Sequence, residues 1–181
     1  MNLEFIFPAI ISCLTTILAT PPTIYLAKKF NLVDNPKLRP HPAHTQERIV
    51  PRAGGLPVFL GLIFAILIFI PQSQTMIAIL LGLIILLTVG LLDDKYQKLS
   101  PYLRLFSQFM AAAAVVSAGV DINFITNPLG GIFQVDTVQF LPQILSLVWI
   151  VWVMNMLNWS KGVDGQMPGV VTVAGFILGL L

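Results

Sequence analysis

Apolar runs and short charged segments alternate along the whole chain. Positions 5–27, 53–92, 105–120, 137–160 and 165–181 contain no Asp, Glu, Lys or Arg. A bilayer-spanning helix needs about 20 mostly apolar residues, so the uncharged stretch 53–92 has room for two. Pro71-Gln72-Ser73-Gln74 divides it with a tight polar turn. The pattern predicts spans at 5–27, 54–70, 75–92, 103–120 and 143–160, with a sixth beginning at 168–181. Pro21 and Pro22 are expected to kink or end the first helix near its inner end. That first run is too long for a signal-peptide core and lacks a cleavable site behind a basic segment. Segment 121–141 has a different pattern. Ile122-Asn123-Phe124-Ile125 and Ile132-Phe133-Gln134-Val135 flank Asn127-Pro128-Leu129-Gly130-Gly131, which predicts a small hairpin. The fold class is therefore an all-α polytopic membrane protein with about six transmembrane helices and one small outer-face β-hairpin.

Composition supports this reading. Of 181 residues, 56% are hydrophobic and only 10% charged, against about 25% in a soluble domain. Mean hydropathy is +0.87. Disordered, collagen-like, disulfide-stapled and nucleic-acid-binding chains are excluded. Cys13 is the only cysteine and lies in the first apolar run. The ten basic residues define the orientation. Six fall in loop 28–53, three around 93–104 and Lys161 in loop 161–167. The positive-inside rule puts all three regions (28–53, 93–102 and 161–167 as loops) in the cytoplasm and the N-terminus outside. The expected location is the cytoplasmic membrane, with 1–181 forming a single transmembrane domain.

Three cytoplasmic clusters carry candidate chemistry. Asp93 and Asp94 end the third span. A charge at membrane depth costs on the order of 3 kcal/mol, and adjacent carboxylates repel each other. A divalent cation or a basic partner relieves both problems, and Mg²⁺ prefers carboxylate oxygens. The plain alternative is an interfacial cap beside Lys95 and Lys98. In the second cluster, Asn155 and Asn158 are three residues apart and share a helix face at the end of the fifth span. Lys161, Gly162, Asp164 and Gly165 follow. An interhelical hydrogen-bond pair would explain the amides alone. Amides, a carboxylate and glycines together suit a binding loop better. The third cluster is Pro51-Arg52-Ala53-Gly54-Gly55, which places Arg52 and two glycines at the start of the second span, where N–H groups could meet phosphate. The rest of this basic loop needs only anionic headgroups as partners. His41 and His44 have no companion at metal-ligand spacing. Together, carboxylates, basic groups and amides at one membrane face suit phosphoryl transfer between a nucleotide-linked donor and a lipid acceptor. A metal-coupled transporter would instead need polar groups at the midplane.

These motifs resemble the polyprenyl-phosphate N-acetylhexosamine-1-phosphate transferases. The resemblance rests on Pro51-Arg52-Ala53-Gly54-Gly55, on Asp93-Asp94 with Leu99-Ser100-Pro101-x-x-Arg104-x-x-x-Gln108, and on Asn155-x-x-Asn158 with Gly162-x-Asp164-Gly165. It implies transfer of a phospho-N-acetyl sugar from a UDP-sugar to undecaprenyl or another polyprenyl phosphate. UMP is released, Mg²⁺ (or Mn²⁺) is the cofactor, and no nucleic acid takes part. Asp93 and Asp94 would lie at the metal and the attacking lipid phosphate as catalytic groups. Asn155, Asn158 and Asp164 would hold the nucleotide–metal end of the donor, which adds both asparagines to the metal set. Arg52, Gly54, Gly55, Lys161, Gly162 and Gly165 complete the substrate-binding set. The Pro-Arg-x-Gly-Gly segment resembles the branch that uses UDP-GlcNAc more than the branch that loads muramoyl-pentapeptide. A non-catalytic scaffold or transporter subunit remains the alternative from another class, and a homodimer is left open.

Two departures from the family pattern matter. Family members commonly carry Asp-Gly-x-Asp-Gly-Leu where this sequence has Lys161-Gly162-Val163-Asp164-Gly165-Gln166. Lys161 in place of a carboxylate suggests a variant donor site with a point charge for phosphate. The family also has ten or eleven spans, with a Phe-x-Gly-Asp motif and a His-rich loop beyond the region matched here. Residues 1–181 alone are therefore expected to be the N-terminal half of such a fold, with an incomplete site and little activity.

Overall fold

A computed structural model describes residues 6–34, 49–96, 99–160 and 165–180. Among the described residues six helices follow one another: α1 Ile6–Lys29, α2 Gly55–Phe69, α3 Gln74–Tyr96, α4 Pro101–Ser117, α5 Leu141–Trp159 and α6 Gln166–Leu180. Each falls on a span expected from the apolar pattern. Three of them, α1, α3 and α5, are long and apolar enough to cross a membrane. α2 and α6 are shorter apolar helices of 15 residues each. At about 1.5 Å per residue they reach about 22 Å, less than the ~30 Å hydrocarbon core. This is a multi-pass membrane protein.

α1 runs through Pro21 and Pro22 to Lys29, so the proline pair does not end it. Pro21 and Pro22 remove the backbone donors of the Ile17 and Leu18 carbonyls, a gap that membrane helices tolerate. Along α1, Thr16, Thr20 and Thr23 hydroxyls donate to the carbonyls of Ser12, Thr16 and Ala19 at 2.7–2.8 Å. At its other end α3 continues to Tyr96, so Asp93 and Asp94 belong to its last turn.

The chain divides into two units, residues 1–72 with 83–104, and residues 73–82 with 105–181. In the first, α1 lies against α2. Gly61 faces Ser12 and Thr16 so closely that an added Cβ would collide with the Thr16 hydroxyl and the Ser12 carbonyl. Thr23 and Ala27 of α1 and Pro57, Gly61, Ala65 and Ile66 of α2 are buried. A short ribbon joins these helices: β1 Val33–Asp34 pairs antiparallel with β2 Val50–Pro51. Nothing in the apolar pattern pointed to this ribbon.

In the second unit, Gly82 of α3 lies against Ala111 of α4, where a Cβ would come within 3.1 Å of the Ala111 carbonyl oxygen. Ser107, Ala111, Ala112 and Val116 are the buried positions of α4, and Pro142, Ser146 and Val151 those of α5. The expected hairpin forms between these helices. β3 Phe124–Thr126 pairs antiparallel with β4 Ile132–Gln134, with Ile125 opposite Phe133. Its turn is held by Leu129 N–H donating to Asn127 Oδ1 (3.0 Å), an Asx turn, and Gly130 and Gly131 take the positive φ that the reversal requires. Small side chains are buried in both units, while many Leu, Ile and Phe side chains are exposed. A membrane protein is expected to have this distribution, because lipid is as apolar as leucine and close helix approach needs small residues.

Candidate functional site

The first cluster is built where the ribbon meets α2 and the end of α3. Arg52 N–H donates to Leu32 O (2.8 Å), extending the ribbon by one bond. The Arg52 guanidinium donates to Asp34 Oδ2 at 2.9 Å, with both side chains about one-third exposed or less. Ala53 then turns into the left-handed region at φ 67 while only 4% exposed. Few residues with a Cβ adopt that conformation, which costs on the order of 1–2 kcal/mol. It delivers the Ala53 N–H to Asp94 Oδ2 at 2.9 Å. Gly54 follows as the N-cap of α2 without a side-chain cap, and a Cβ at Gly54 or Gly55 would meet nothing within 4 Å. Neither glycine needs a positive φ, so crowding and backbone conformation both leave them unexplained. Open backbone of this kind lets a ligand approach closely.

Asp93 and Asp94 leave α3 in different directions. Arg104 Nη1 faces Asp93 Oδ2 at 3.4 Å, while Asp94 takes the Ala53 amide. Successive helix positions are about 100° apart, so the two carboxylates separate their charges and each finds its own donor. A basic partner, one of the two solutions expected from the sequence, is present for Asp93 as Arg104, while Asp94 has a backbone N–H instead.

The second cluster belongs to the other unit. Asn155 of α5 donates from Nδ2 to Gln108 Oε1 of α4 (2.8 Å) and to Val151 O (2.8 Å). Both of its N–H bonds are committed, which leaves Oδ1 for a ligand. Asn158, one turn on, is exposed. Gly165 has φ 81 and starts α6, its carbonyl accepting from Gly169 N–H at 2.9 Å. Lys161, Gly162 and Asp164 lie outside the described residues, as do His41 and His44.

Arg104, Gln108, Asp34 and the Ala53 amide partner the named site residues without having been assigned to the site from sequence. Arg104 and Gln108 were visible as members of the Leu-Ser-Pro-x-x-Arg-x-x-x-Gln motif, one helical turn apart on α4. Asp34 and Ala53 gave no such signal. Among the described residues, no group of three or more His, Cys, Asp or Glu side chains converges as a metal cage. What the cluster offers a hard divalent cation is carboxylate oxygen from either side chain, and Mg²⁺ that retains waters and ligand oxygens needs only one or two carboxylates.

A multi-pass helical membrane protein with paired carboxylates at a helix end thus defines the class, and sequence comparison makes it specific. Residues 76–181 match glycosyl transferase family 4, and the chain belongs to that family. It is 32% identical over 165 residues to a Bacillus subtilis (strain 168) protein described as a probable undecaprenyl-phosphate N-acetylglucosaminyl 1-phosphate transferase; the match covers 91% of this chain and 44% of that protein. It is 28% identical over 193 residues to the decaprenyl-phosphate N-acetylglucosaminephosphotransferase of Mycobacterium tuberculosis, covering 98% and 46%. An undecaprenyl-phosphate alpha-N-acetylglucosaminyl 1-phosphate transferase of Yersinia pestis is 29% identical over 157 residues, covering 86% and 41%. The chain therefore spans somewhat less than half the length of these relatives. No solved structure matches it.

Proposed function

We infer that this chain serves the transfer of N-acetylglucosamine 1-phosphate from UDP-N-acetylglucosamine to a polyprenyl phosphate at the cytoplasmic membrane face. An oxygen of the lipid phosphate attacks the sugar-linked phosphorus of the donor. The bond from that phosphorus to the bridging oxygen breaks, and UMP leaves with this oxygen as a lipid pyrophosphoryl sugar forms. The observation that carries this reading is the pair of carboxylates at the end of α3, separately held by Arg104 and the Ala53 amide, in a chain matching such transferases over most of its length. Mg²⁺, or Mn²⁺ in its place, would supply charge neutralisation on the transferring phosphoryl group. Asp93 and Asp94 would hold it through oxygen.

The remaining roles fall to this chain's own groups. The Ala53 amide fixes the rotamer of Asp94, so the carboxylate need not reorganise when substrates arrive. Gly54 and Gly55 leave backbone open for a phosphate, with Arg52 beside them. Gln108 holds the Asn155 amide by its N–H end, which leaves Oδ1 as the atom with which Asn155 would serve the donor. Asn158 and the stretch Lys161, Gly162, Asp164 and Gly165 complete the donor contacts. A transporter reading would require its chemistry at mid-span, whereas Asp93, Asp94, Asn158 and the Arg52–Gly55 segment lie at helix ends.

UMP release from UDP-N-acetylglucosamine with undecaprenyl phosphate and Mg²⁺ tests the proposal. Membranes containing this chain within a protein of the relatives' full length should release UMP only when the lipid phosphate is added, and residues 1–181 alone should release little. Absence of release with any UDP-sugar, from protein that is folded and membrane-inserted, would reject it.

A further inference from the structure

The hairpin between α4 and α5 plays no part in the proposed chemistry, yet it is the most exposed apolar element outside the helices. Phe124, Ile125, Ile132 and Phe133 are all exposed, and Leu129 at the turn is 95% exposed. Both ribbon faces present these side chains, since Ile125 and Phe133 oppose each other while Phe124 and Ile132 point the other way. From residue 122 to residue 135 there is no charged side chain. In water this ribbon would show apolar surface on two sides.

Its attachment fixes its depth. α5 has 19 residues, about 29 Å at ~1.5 Å per residue, so it needs its whole length to cross a hydrocarbon core of ~30 Å. Ile122 N–H donates to Ser146 Oγ at 2.7 Å, and Gln143 Nε2 donates to Asp121 Oδ2 at 2.9 Å. Ser146 is buried and is the sixth residue of α5, about 8 Å along the axis from its first. The segment leading into β3 is therefore tied to α5 inside the end of the span. Val135 N–H donates to Asn123 O (2.8 Å) and closes the ribbon at that level. Strands of three residues reach only about 10 Å, so β3 and β4 lie within the boundary layer of the bilayer.

The geometry points to a membrane-surface anchor: the hairpin inserts its apolar side chains into the lipid leaflet at the N-terminal end of α5, continuing the lipid-facing surface of that helix. The open strand edges hold it at the headgroup–acyl boundary, because unpaired N–H and C=O groups need the water present there and absent from the core. Apolar surface buried at this boundary binds as it does for interfacial helices, with side chains about 5–10 Å deep. The relatives' additional length and a second copy of the chain are the other possible covers, and each leaves a different signature.

Cys13 is the only cysteine, so a Cys13→Ala background allows single nitroxide labels at Leu129→Cys and Phe133→Cys. Both positions are exposed, so the label displaces no core. In phosphatidylethanolamine/phosphatidylglycerol proteoliposomes, collision with oxygen should exceed collision with a water-soluble nickel chelate severalfold at both sites. Dominant collision with the nickel chelate would put the hairpin in water and overturn the proposal. Low collision with both reagents would mean that protein covers it, and would overturn it equally.

Discussion

Ala53 is the residue on which the carboxylate cluster turns. It holds a left-handed φ without being glycine, is almost fully buried, and spends its N–H on Asp94. Ala53→Gly relieves the strain while keeping the donor and should leave thermal stability equal or higher. Ala53→Val places a β-branched side chain at φ 67 and should lower stability by about 1–3 kcal/mol. Equal unfolding temperatures for the two variants in detergent would show that the left-handed turn is not maintained. Asp34 and Arg52 make a second residue-scale claim. Their partly exposed pair should show a coupling of about 0.5–1 kcal/mol in a double-mutant cycle using alanine at each position. Strict additivity would mean that the pair contributes nothing to the ribbon.

Asp93 and Asp94 were legible in the sequence because two carboxylates at the end of an apolar run demand an explanation. Their partners were legible only in part: Arg104 stood in the Leu-Ser-Pro-x-x-Arg motif, but nothing marked Ala53. The Ala53 amide is 41 positions from Asp94, and alanine carries no sequence signal for a positive φ. Asp34 meets Arg52 only because a two-residue ribbon, too short to show alternation, folds residues 18 apart onto each other. Gln108 was visible as part of a motif, but its partner across 47 positions was not.

At the scale of elements, the spans were readable because uncharged length is a coarse and robust signal. What the pattern could not give was how helices meet, which depends on single small residues. Gly61 decides the approach of α2 to α1. Gly61→Leu forces a branched side chain into Ser12 and Thr16 and should destabilise the protein by about 1–3 kcal/mol or more, read as a lowered unfolding temperature. Gly90, around which a Cβ would meet nothing within 4 Å, is the control, and Gly90→Ala should be neutral or slightly stabilising. A Gly61→Leu protein as stable as the parent would mean that these helices do not touch there. The α4–α5 contact is polar instead. Gln108→Leu leaves the Asn155 amide short of an acceptor and should cost about 1–3 kcal/mol, whereas Gln108→Glu keeps an acceptor and should recover most of it. The proline pair in α1 shows the converse limit: its sequence suggested an end or a kink, and the helix bounds exclude the end.

For the molecule as a whole, the family is established by residues 76–181, and the relatives it matches are about twice its length. Its described carboxylates, amides and open glycines agree with a transferase that positions two phosphates and neutralises charge. Lys161, where the family commonly has a carboxylate, lies outside the described residues and keeps its proposed role as a point charge for donor phosphate. Lys161→Ala should then raise KM for the UDP-sugar more than it lowers kcat, and an unchanged KM would remove Lys161 from the donor site.

The most direct measurement is lipid-dependent UMP release by this chain within a protein of the relatives' full length, beside its Asp94→Asn variant, with Mg²⁺ titrated for each. Asparagine keeps the size of the side chain and an oxygen for the Ala53 N–H, so the variant should fold like the parent. The account predicts UMP release by the parent and loss of at least about a hundredfold in the variant, of the size expected for removing one preorganised charged group. A variant that turns over like the parent across the whole Mg²⁺ range would contradict the assignment of Asp94, and with it the proposed site.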